Sequence, residues 1–511
     1  MPEQVAGSAG EAEQMAEEAT RATAMEADTL APDTSHKERV LSPKEAKKAA
    51  ERRAFILDGP IGNGVLKIAL PSVAAMMLQT TNSFLDRFFV GSLGPEALAA
   101  ITVASSLMFA LMSGAMAISV GTTALVARFI GEGNPRDART ATTQSLMLAL
   151  VVSALVGIPM FLFRVPLLSA LGLDSAALEF ASQYLRFTTL GMPTLFLMLI
   201  FNGAFRGLGD TVRPLWVTVG TIAIHATFNW LLIFGHLGFP KMGLAGGGLA
   251  LVLSQLMATV LYLIYLRRTP LAEAASVRTK WLLNLNWAKR IGRIGFPACA
   301  QQLIRVGSMI GLQTLLAHTS AGSAAVAALG VGLLSESIAF MPGFGYSIAA
   351  SAFVGQNLGA GKVERANSGG WIAAGQAVVV MTIMGAVFYF AAGPFAHLFV
   401  RHADGETTLT GSQVALTIAL TVGYLRIAAF SEPFLGLGMV LTGALQGAGE
   451  TISPTAITIV TMVMIRVPLA FFLIDRLGPV GAWWAMSIST VIQGILTAEI
   501  YRRGKWRSVR I

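Results

Sequence analysis

From Ile61 onward, apolar windows of the ~20 residues needed to cross a ~30 Å hydrocarbon core recur with only short breaks between them. Twelve such windows are counted, at about 63–88, 98–122, 144–164, 180–204, 214–235, 244–266, 291–316, 324–346, 369–392, 414–440, 454–475 and 480–501. A bilayer offers no water to exposed backbone groups, so a spanning segment is either a helix or a strand of a closed barrel. Barrel strands alternate apolar and polar residues, whereas Ser145-Leu-Met-Leu-Ala-Leu-Val-Val-Ser-Ala-Leu-Val-Gly157 is apolar on nearly every side. The expected fold class is therefore an all-α integral membrane bundle. Composition agrees, with 54% hydrophobic and 13% charged residues, against about 25% charged in soluble domains. The 53 glycines fit helices that pack closely in lipid.

An even number of spans puts both chain ends on one side of the membrane. Loops on that side carry Arg128, Arg136, Arg139, Arg206, Arg213, Arg267, Arg268, Arg278, Lys280, Lys289, Arg290, Lys362 and Arg365; opposite loops carry only Arg164, Lys241, Arg401 and Arg476. By the positive-inside rule both termini are cytoplasmic, in a multi-pass cell-membrane protein of the bacterial inner-membrane type. The formal net charge of +9 thus reflects membrane orientation, not nucleic acid. Residues 1–59 read as a hydrophilic, disordered cytoplasmic tail with a short basic helix in Ser42-Pro-Lys-Glu-Ala-Lys-Lys-Ala-Ala-Glu-Arg-Arg53. The tail has no apolar stretch long enough for a signal peptide.

The chain also repeats itself. Ser92–Val103 matches Ser320–Val331 and Gly131-Glu-Gly-Asn-Pro-Arg-Asp-Ala138 matches Gly359-Ala-Gly-Lys-Val-Glu-Arg-Ala366, both at an offset of 228 residues. Arg206-Gly-Leu-Gly-Asp-Thr-Val-Arg-Pro214 matches Gln446-Gly-Ala-Gly-Glu-Thr-Ile-Ser-Pro454 at an offset of 240. Six spans per repeat make two pseudo-symmetric lobes of the same orientation, related by an axis along the membrane normal, with a cavity between them. The expected division is 60–268 for the N-terminal lobe, 269–288 for a cytoplasmic linker, 289–504 for the C-terminal lobe and 505–511 for a basic tail.

A charged side chain at a helix centre costs roughly 2.5–3.5 kcal/mol on insertion scales, so each one faces a wet cavity or has a partner. Gln79, Asn82 and Asp86 line one face of the first span, and His225 and Asn229 share a face of the fifth. A carboxylate among amides can take a proton or hold a cation with amide oxygens, and either makes these five residues the candidate coupling site. The structural alternative pairs Asp86 with Arg87 or another arginine, and makes His225 a packing contact. In the second half Gln301, Arg305, Glu336, Glu432 and Arg466 lie within apolar spans, as a substrate cavity or a buried charge network. Pairing of Arg305 with Glu336 or Glu432 is the economical expectation.

Other chemistries find no support. One cysteine, Cys299, forms no intramolecular disulfide and no thiolate metal cluster, and the six histidines make no metal-spaced pair on a helix. No serine occupies a nucleophile elbow, so the chain does not read as an enzyme. Gly355-Gln-Asn-Leu-Gly-Ala-Gly-Lys-Val363 has five residues where a phosphate loop needs four, and Val363 where it needs Ser or Thr. With no nucleotide domain, transport has to run on an ion gradient.

Several motifs together resemble the multidrug and toxic compound extrusion (MATE) family, in its DinF-type branch, over about Ile61–Tyr501. They are Ala69-Leu-Pro71 leading to Leu85-Asp86 and Val90-Gly91, Tyr184-Leu-Arg186 with Leu190-Gly-Met-Pro193, Arg206-Gly-Leu-Gly-Asp-Thr211, and Val354-Gly-Gln-Asn-Leu-Gly-Ala-Gly-Lys362. The resemblance implies a secondary antiporter that exports organic cations or amphipathic toxic compounds by alternating access, and gives Asp86 the role of the proton- or sodium-binding acid. The family often has Asn and Asp four apart on the fifth span where this chain has His225 and Asn229, which favours protons over sodium. The acid that some relatives carry on the seventh span is replaced by Arg305. No cofactor is expected beyond the coupling ion, and the partners expected are a small-molecule substrate and the bilayer, with the protein a monomer. The alternative reading is a lipid-linked saccharide or polysaccharide flippase.

Overall fold

The computed structural model describes residues 42–276, 282–403, 411–509 and 511. The acidic tail through Asp33 and positions 277–281 of the expected linker lie outside them. The basic segment is a helix, α1 (Pro43–Asp58). The first half follows as α2 (Ile61–Gly91), α3 (Pro95–Glu132), α4 (Pro135–Ala170), α5 (Ser175–Leu190), α6 (Met192–Gly207), α7 (Val212–Phe234) and α8 (Leu244–Leu266). The second comprises α9 (Leu285–Ala317), α10 (Gly322–Gly359), α11 (Val363–Phe390), α12 (Ala392–Ala403), α13 (Gly411–Gly447), α14 (Ile452–Thr458), a π-helical stretch (Ile459–Ile465), α15 (Arg466–Leu477) and α16 (Pro479–Arg503). The described residues contain no strand.

Among the described residues ten helical stretches are long and apolar enough to cross a membrane, with Ile452–Leu477 counted as one. The pair α5 and α6, bent by 54°, is long and apolar enough when taken together, which gives eleven if it is one span. The break falls at Gly191-Met-Pro193. A Cβ on Gly191 would lie 2.3 Å from Val252 Cγ2 on α8, and proline opens α6 without needing its missing N–H. The expected seventh span is α9, 33 residues long, which is not in the apolar set: beyond its basic first turns it carries Gln301, Gln302 and Arg305. Helix α12, ahead of the tenth span, was not expected from the sequence.

Local chemistry sets the boundaries. Asn134 caps α4 by accepting from the Asp137 amide at 3.1 Å while its own amide donates to the Asp137 carboxylate at 2.7 Å. Gly133 ends α3 at φ 76°, the left-handed conformation that glycine adopts without strain. Buried hydroxyls such as Thr122 and Thr142 donate to the carbonyl four residues back in their own helix, so they enter the apolar interior already satisfied.

The repeats in the sequence are repeats in the packing. Ser119 Oγ donates to the Leu199 carbonyl at 2.9 Å, and its counterpart Ser347 Oγ donates to the Met439 carbonyl at 2.9 Å. Each bond staples the second span of a half to the fourth. The two halves meet through glycines at the end of the bundle that carries α1. A Cβ on Gly131 would sit 2.0 Å from the Gln356 carbonyl oxygen, and one on Gly359 would sit 2.0 Å from that of Arg128. The 228-residue offset interchanges these two contacts, so the crossing is its own mirror under the repeat. Deeper in the bundle, α3 meets α9 where Gly295 lies on Ala117, and α2 meets α10 where Gly345 lies on Val73. Three apolar clusters result. One is drawn from Val90–Ile294, one from Leu312–Met486, and the third joins Ile56, Val65, Ile68 and Ala69 to the second half around Phe353 and Val354.

Gly131→Ala and Gly359→Ala each force the two backbones apart, and we expect each to lower thermal stability in detergent by roughly 1–3 kcal/mol. Gly375, where a methyl group would meet nothing within 4 Å, is the control: Gly375→Ala should be neutral or stabilise by roughly 0.5–1 kcal/mol. Equal melting temperatures for all three variants would contradict the close crossing.

Candidate functional site

Asp86 stands one and a half turns before the end of α2 and Asn229 the same distance before the end of α7, so both lie near the end of the bundle far from α1. The two helices pack together. Asn229 Nδ2 donates to Asp86 Oδ1 at 3.1 Å, and His225 Nδ1 lies 3.2 Å from Asn82 Oδ1 and 3.5 Å from Asp86 Oδ1. His225 Nε2 faces Asn229 Nδ2 at 3.4 Å. Two oxygens around Nδ1 and an amide nitrogen against Nε2 assign the ring proton to Nδ1 in the neutral imidazole. The His225 side chain is 4% exposed and that of Asp86 30%, so the carboxylate is the member of the cluster that solvent can reach.

The structure thus joins Asp86, Asn82, His225 and Asn229 in one bonded set and leaves Gln79, exposed a turn away, outside their bonds. The Arg87 side chain lies outside the described residues; among those described, no arginine pairs with Asp86. Asn229 Oδ1 is buried without a donor, next to Gly247. One reachable carboxylate, an orphan amide oxygen and a neutral imidazole can accept a proton or surround a small monovalent cation. Tyr184 on α5 lies within electrostatic reach of Asp86. Site reasoning from the sequence passed over it, although Tyr184-Leu-Arg186 marked its position.

The polar residues of the second half do not form one network. Tyr424 of α13 donates to Glu336 of α10. Gln301 of α9 donates to Thr458 Oγ1 at 3.0 Å and accepts from Gln446 at 3.4 Å. Arg466 donates from Nε to Ser489 at 2.8 Å and from Nη2 to Thr490 at 3.2 Å on α16. The expected pairing of Arg305 with Glu336 or Glu432 is not formed: among the described residues Arg305 makes no ion pair or hydrogen bond. The reason is geometric. Glu432 sits on the side of α13 that meets α11, its Cβ 3.4 Å from where a methyl on Gly385 would be, whereas α9 packs against α3, α10, α14 and α15. Both carboxylate oxygens of Glu432 are buried without a donor. Glu336 lies within electrostatic reach of both Arg466 and Glu432. The π-helical stretch, which no sequence signal announced, presents the Met462 carbonyl to Ser308 Oγ at 2.8 Å.

A helical membrane bundle built from two repeat-related halves, with a solvent-reachable acid among amides at membrane depth, is the framework of a transporter. The chain belongs to the MatE family, whose family model matches residues 71–231 and 297–472. Members of this family are transporters and not enzymes. Among similar proteins, "Probable multidrug resistance protein NorM" of Thermotoga maritima is 27% identical over 449 residues, covering 86% of this chain and 92% of its own. A protein named FAD transporter from Shewanella oneidensis is 28% identical over 453 residues, covering 88% and 96%. The fold matches a solved multidrug resistance MATE family transporter of the MOP superfamily in an outward-facing conformation, with TM-score 0.80 and 23% identity over 88% of this chain and 97% of that one. It also matches a MOP superfamily transporter from Pyrococcus furiosus described by the reverse polarity of its binding pocket, with TM-score 0.79 and 22% identity over the same shares.

Because nothing donates to Glu432, Glu432→Gln removes no bond and should change stability by less than about 1 kcal/mol. Arg466→Met removes two charge-assisted bonds, to buried Ser489 and half-buried Thr490, and should cost about 1–3 kcal/mol. Thermal melts of the purified variants check both, and a larger loss for Glu432→Gln than for Arg466→Met would contradict the contacts described.

Proposed function

We propose that this protein is a secondary antiporter that exports organic cations or amphipathic toxic compounds in exchange for protons, with Asp86 as the coupling acid. The observation that carries this reading is the bonded set of Asp86, Asn229, His225 and Asn82, with a carboxylate open to solvent and no described arginine to neutralise it. The multidrug resistance names of relatives support the substrate class. One carboxylate beside a histidine favours a proton; sodium would need Asp86 and the Asn229 amide oxygen to suffice. The lobes 60–268 and 289–504 would rock relative to one another, opening the far end and the α1 end in turn, the crossing at Gly131 and Gly359 parting when the α1 end opens. Polar side chains exposed toward the far end, among them Gln79, Thr102, Ser105 and Ser106, suit the wall of a wet cleft.

A second reading has its own support. Arg305 lies in the second half without an anionic partner, and Arg466 is bonded only to hydroxyls, so a phosphate-bearing cargo would find two cations there. The FAD transporter among the relatives and the flippase alternative point the same way. Transport into proteoliposomes of a cationic dye and of FAD, each driven by a proton and then by a sodium gradient, separates these readings.

Asp86→Asn keeps size and hydrogen bonding but removes the titrating group, so proton-driven transport should fall to background while the protein inserts and folds normally. Were Asp86 instead a structural partner, its loss would first destabilise the protein, by roughly 3–5 kcal/mol for a stranded buried charge. Full turnover by Asp86→Asn at normal expression would reject Asp86 as the coupling acid.

The α1 end is proposed to face the cytoplasm. On a Cys299→Ala background, Lys241→Cys should label with a membrane-impermeant maleimide in intact cells and Arg136→Cys only after permeabilisation. The reverse pattern would overturn the orientation.

A further inference from the structure

Helix α1 precedes the first span, yet it is bonded to both halves. Toward the first half, Arg52 Nη1 pairs with Asp210 Oδ2 at 2.7 Å, where the Asp210 side chain is fully buried. Arg53 donates from Nε to the Ile130 carbonyl at 2.8 Å and from Nη2 to the Gly131 carbonyl at 2.7 Å. These carbonyls close α3: that of Ile130 also accepts from the Gly133 amide at 3.2 Å, and a guanidinium placed there adds a second donor to it, satisfies Gly131 and meets the negative end of the helix dipole. Toward the second half, Lys362 donates to the Leu57 carbonyl at 3.1 Å and pairs with Asp58, whose carboxyl it holds below the ordinary carboxylate range. Arg365 donates to the Ile56 carbonyl at 3.2 Å and to that of Gly59, and Asn357 reaches Ile56 at 3.5 Å. Ile56 and Leu57 are buried, and Ile56 fills the space left open by Gly209.

The residues gripped by α1 are those of the crossing itself. Gly131 lies on Gln356, Asp210 follows the Gly207 carbonyl that accepts from Gln356 Nε2 at 2.8 Å, and Lys362 and Arg365 open α11. Separating the halves at this end would pull Gly131 from Gln356, and α1 is tied to both sides of that seam. The repeat shows that this is an addition to the basic frame. Glu450, the counterpart of Asp210, accepts only from Ser453, at 2.8 Å from both its amide and its hydroxyl, among the described residues.

We propose that α1 is a clasp that holds the α1 end closed and releases the first half each time that end opens. The seam that parts is the one at Arg52 and Arg53. Asp210 keeps Arg213 at 3.2 Å when Arg52 leaves, and the carbonyls of Ile130 and Gly131 pass to water at a helix terminus. Toward the second half, by contrast, α1 keeps the bonds from Lys362, Arg365 and Asn357 to its last turn, and Ile56 stays in the apolar cluster that joins the start of α2 to Phe353 and Val354. The proposal rests on the alternating-access reading above, and sets how often the α1 end is open.

The test uses the full chain in lipid nanodiscs, on a Cys299→Ala background. Spin labels at Arg136→Cys and Ile452→Cys report separation across the α1 end, and labels at Ser175→Cys and His318→Cys report the far end. Arg52→Gln combined with Arg53→Gln should raise the ratio of separated to closed α1 ends by about tenfold, the change expected for losing charge-assisted bonds at this scale. Arg53→Lys, which keeps the charge but loses the fork to two carbonyls, should give a smaller rise and guards against misfolding of the double variant. Unchanged distances at the α1 end in both variants overturn the clasp. Failure of the far-end pair to change reciprocally with the α1-end pair in the otherwise wild-type protein, between acidic and alkaline buffer, overturns alternating access instead.

Discussion

Lipid is as apolar as a leucine side chain, so helices in this bundle gain nothing from hiding apolar surface from one another and depend on close backbone approach and a few polar bonds. The crossing of α3 and α10 is where that dependence is sharpest. Gly131 and Gly359 each lay a bare Cα against the other half's backbone, and a single added methyl at either would be 2.0 Å from a carbonyl oxygen. One core is assembled from second-half spans alone and another from first-half spans with Ile291 and Ile294 of α9, but the third apolar cluster exists because this crossing brings the start of α2 against α10 and α11.

Once the halves are held at one end, the character of the other end follows. The polar cluster around Asp86 sits in helix segments away from the crossing, where α2 and α7 approach their ends and solvent reaches the carboxylate. The second half uses its polar residues differently. Glu336 is bonded to Tyr424, Gln301 to the α14 segment and Arg466 to α16, each across a helix–helix contact. The repeat therefore conserves the staples, Ser119 with Leu199 and Ser347 with Met439, but not the polar chemistry. A doubled scaffold with unlike interiors gives one half a cluster centred on an acid and the other a set of separate bonds, one of them made by Arg466.

The motifs that mark the family turn out to be devices of assembly. Arg206-Gly-Leu-Gly-Asp-Thr211 supplies a carbonyl at Gly207 for Gln356, a glycine at φ 67° beside Ile56, a buried Asp210 that receives Arg52 and Arg213, and a Thr211 hydroxyl bonded to the Ile68 carbonyl at 2.9 Å. Val354–Lys362 supplies the other side of the same seam, with Gly359 against Arg128, Gln356 to Gly207, and Lys362 to α1. Neither motif touches the Asp86 cluster. Their role is to set where the halves are joined.

What the sequence determined by itself was the all-helical membrane fold, its approximate count of spans and its doubling, because these follow from hydropathy and from matched residues, both properties of a single chain read in order. It also placed Asp86 with Asn82 and His225 with Asn229, since residues three and four apart on a helix must share a face. Which faces meet is a property of two helices at once, and only the tertiary structure decided it. That is why the bond from Asn229 to Asp86 could be anticipated as a candidate while Tyr184, within electrostatic reach of Asp86, was passed over, and why Arg305 was expected on Glu336 or Glu432, of which the latter is turned by α13 toward α11 instead. The π-helical stretch and the grip of α1 on both halves were beyond sequence reading for the same reason: each exists only where a carbonyl or a buried acid from a distant segment is delivered to it by packing.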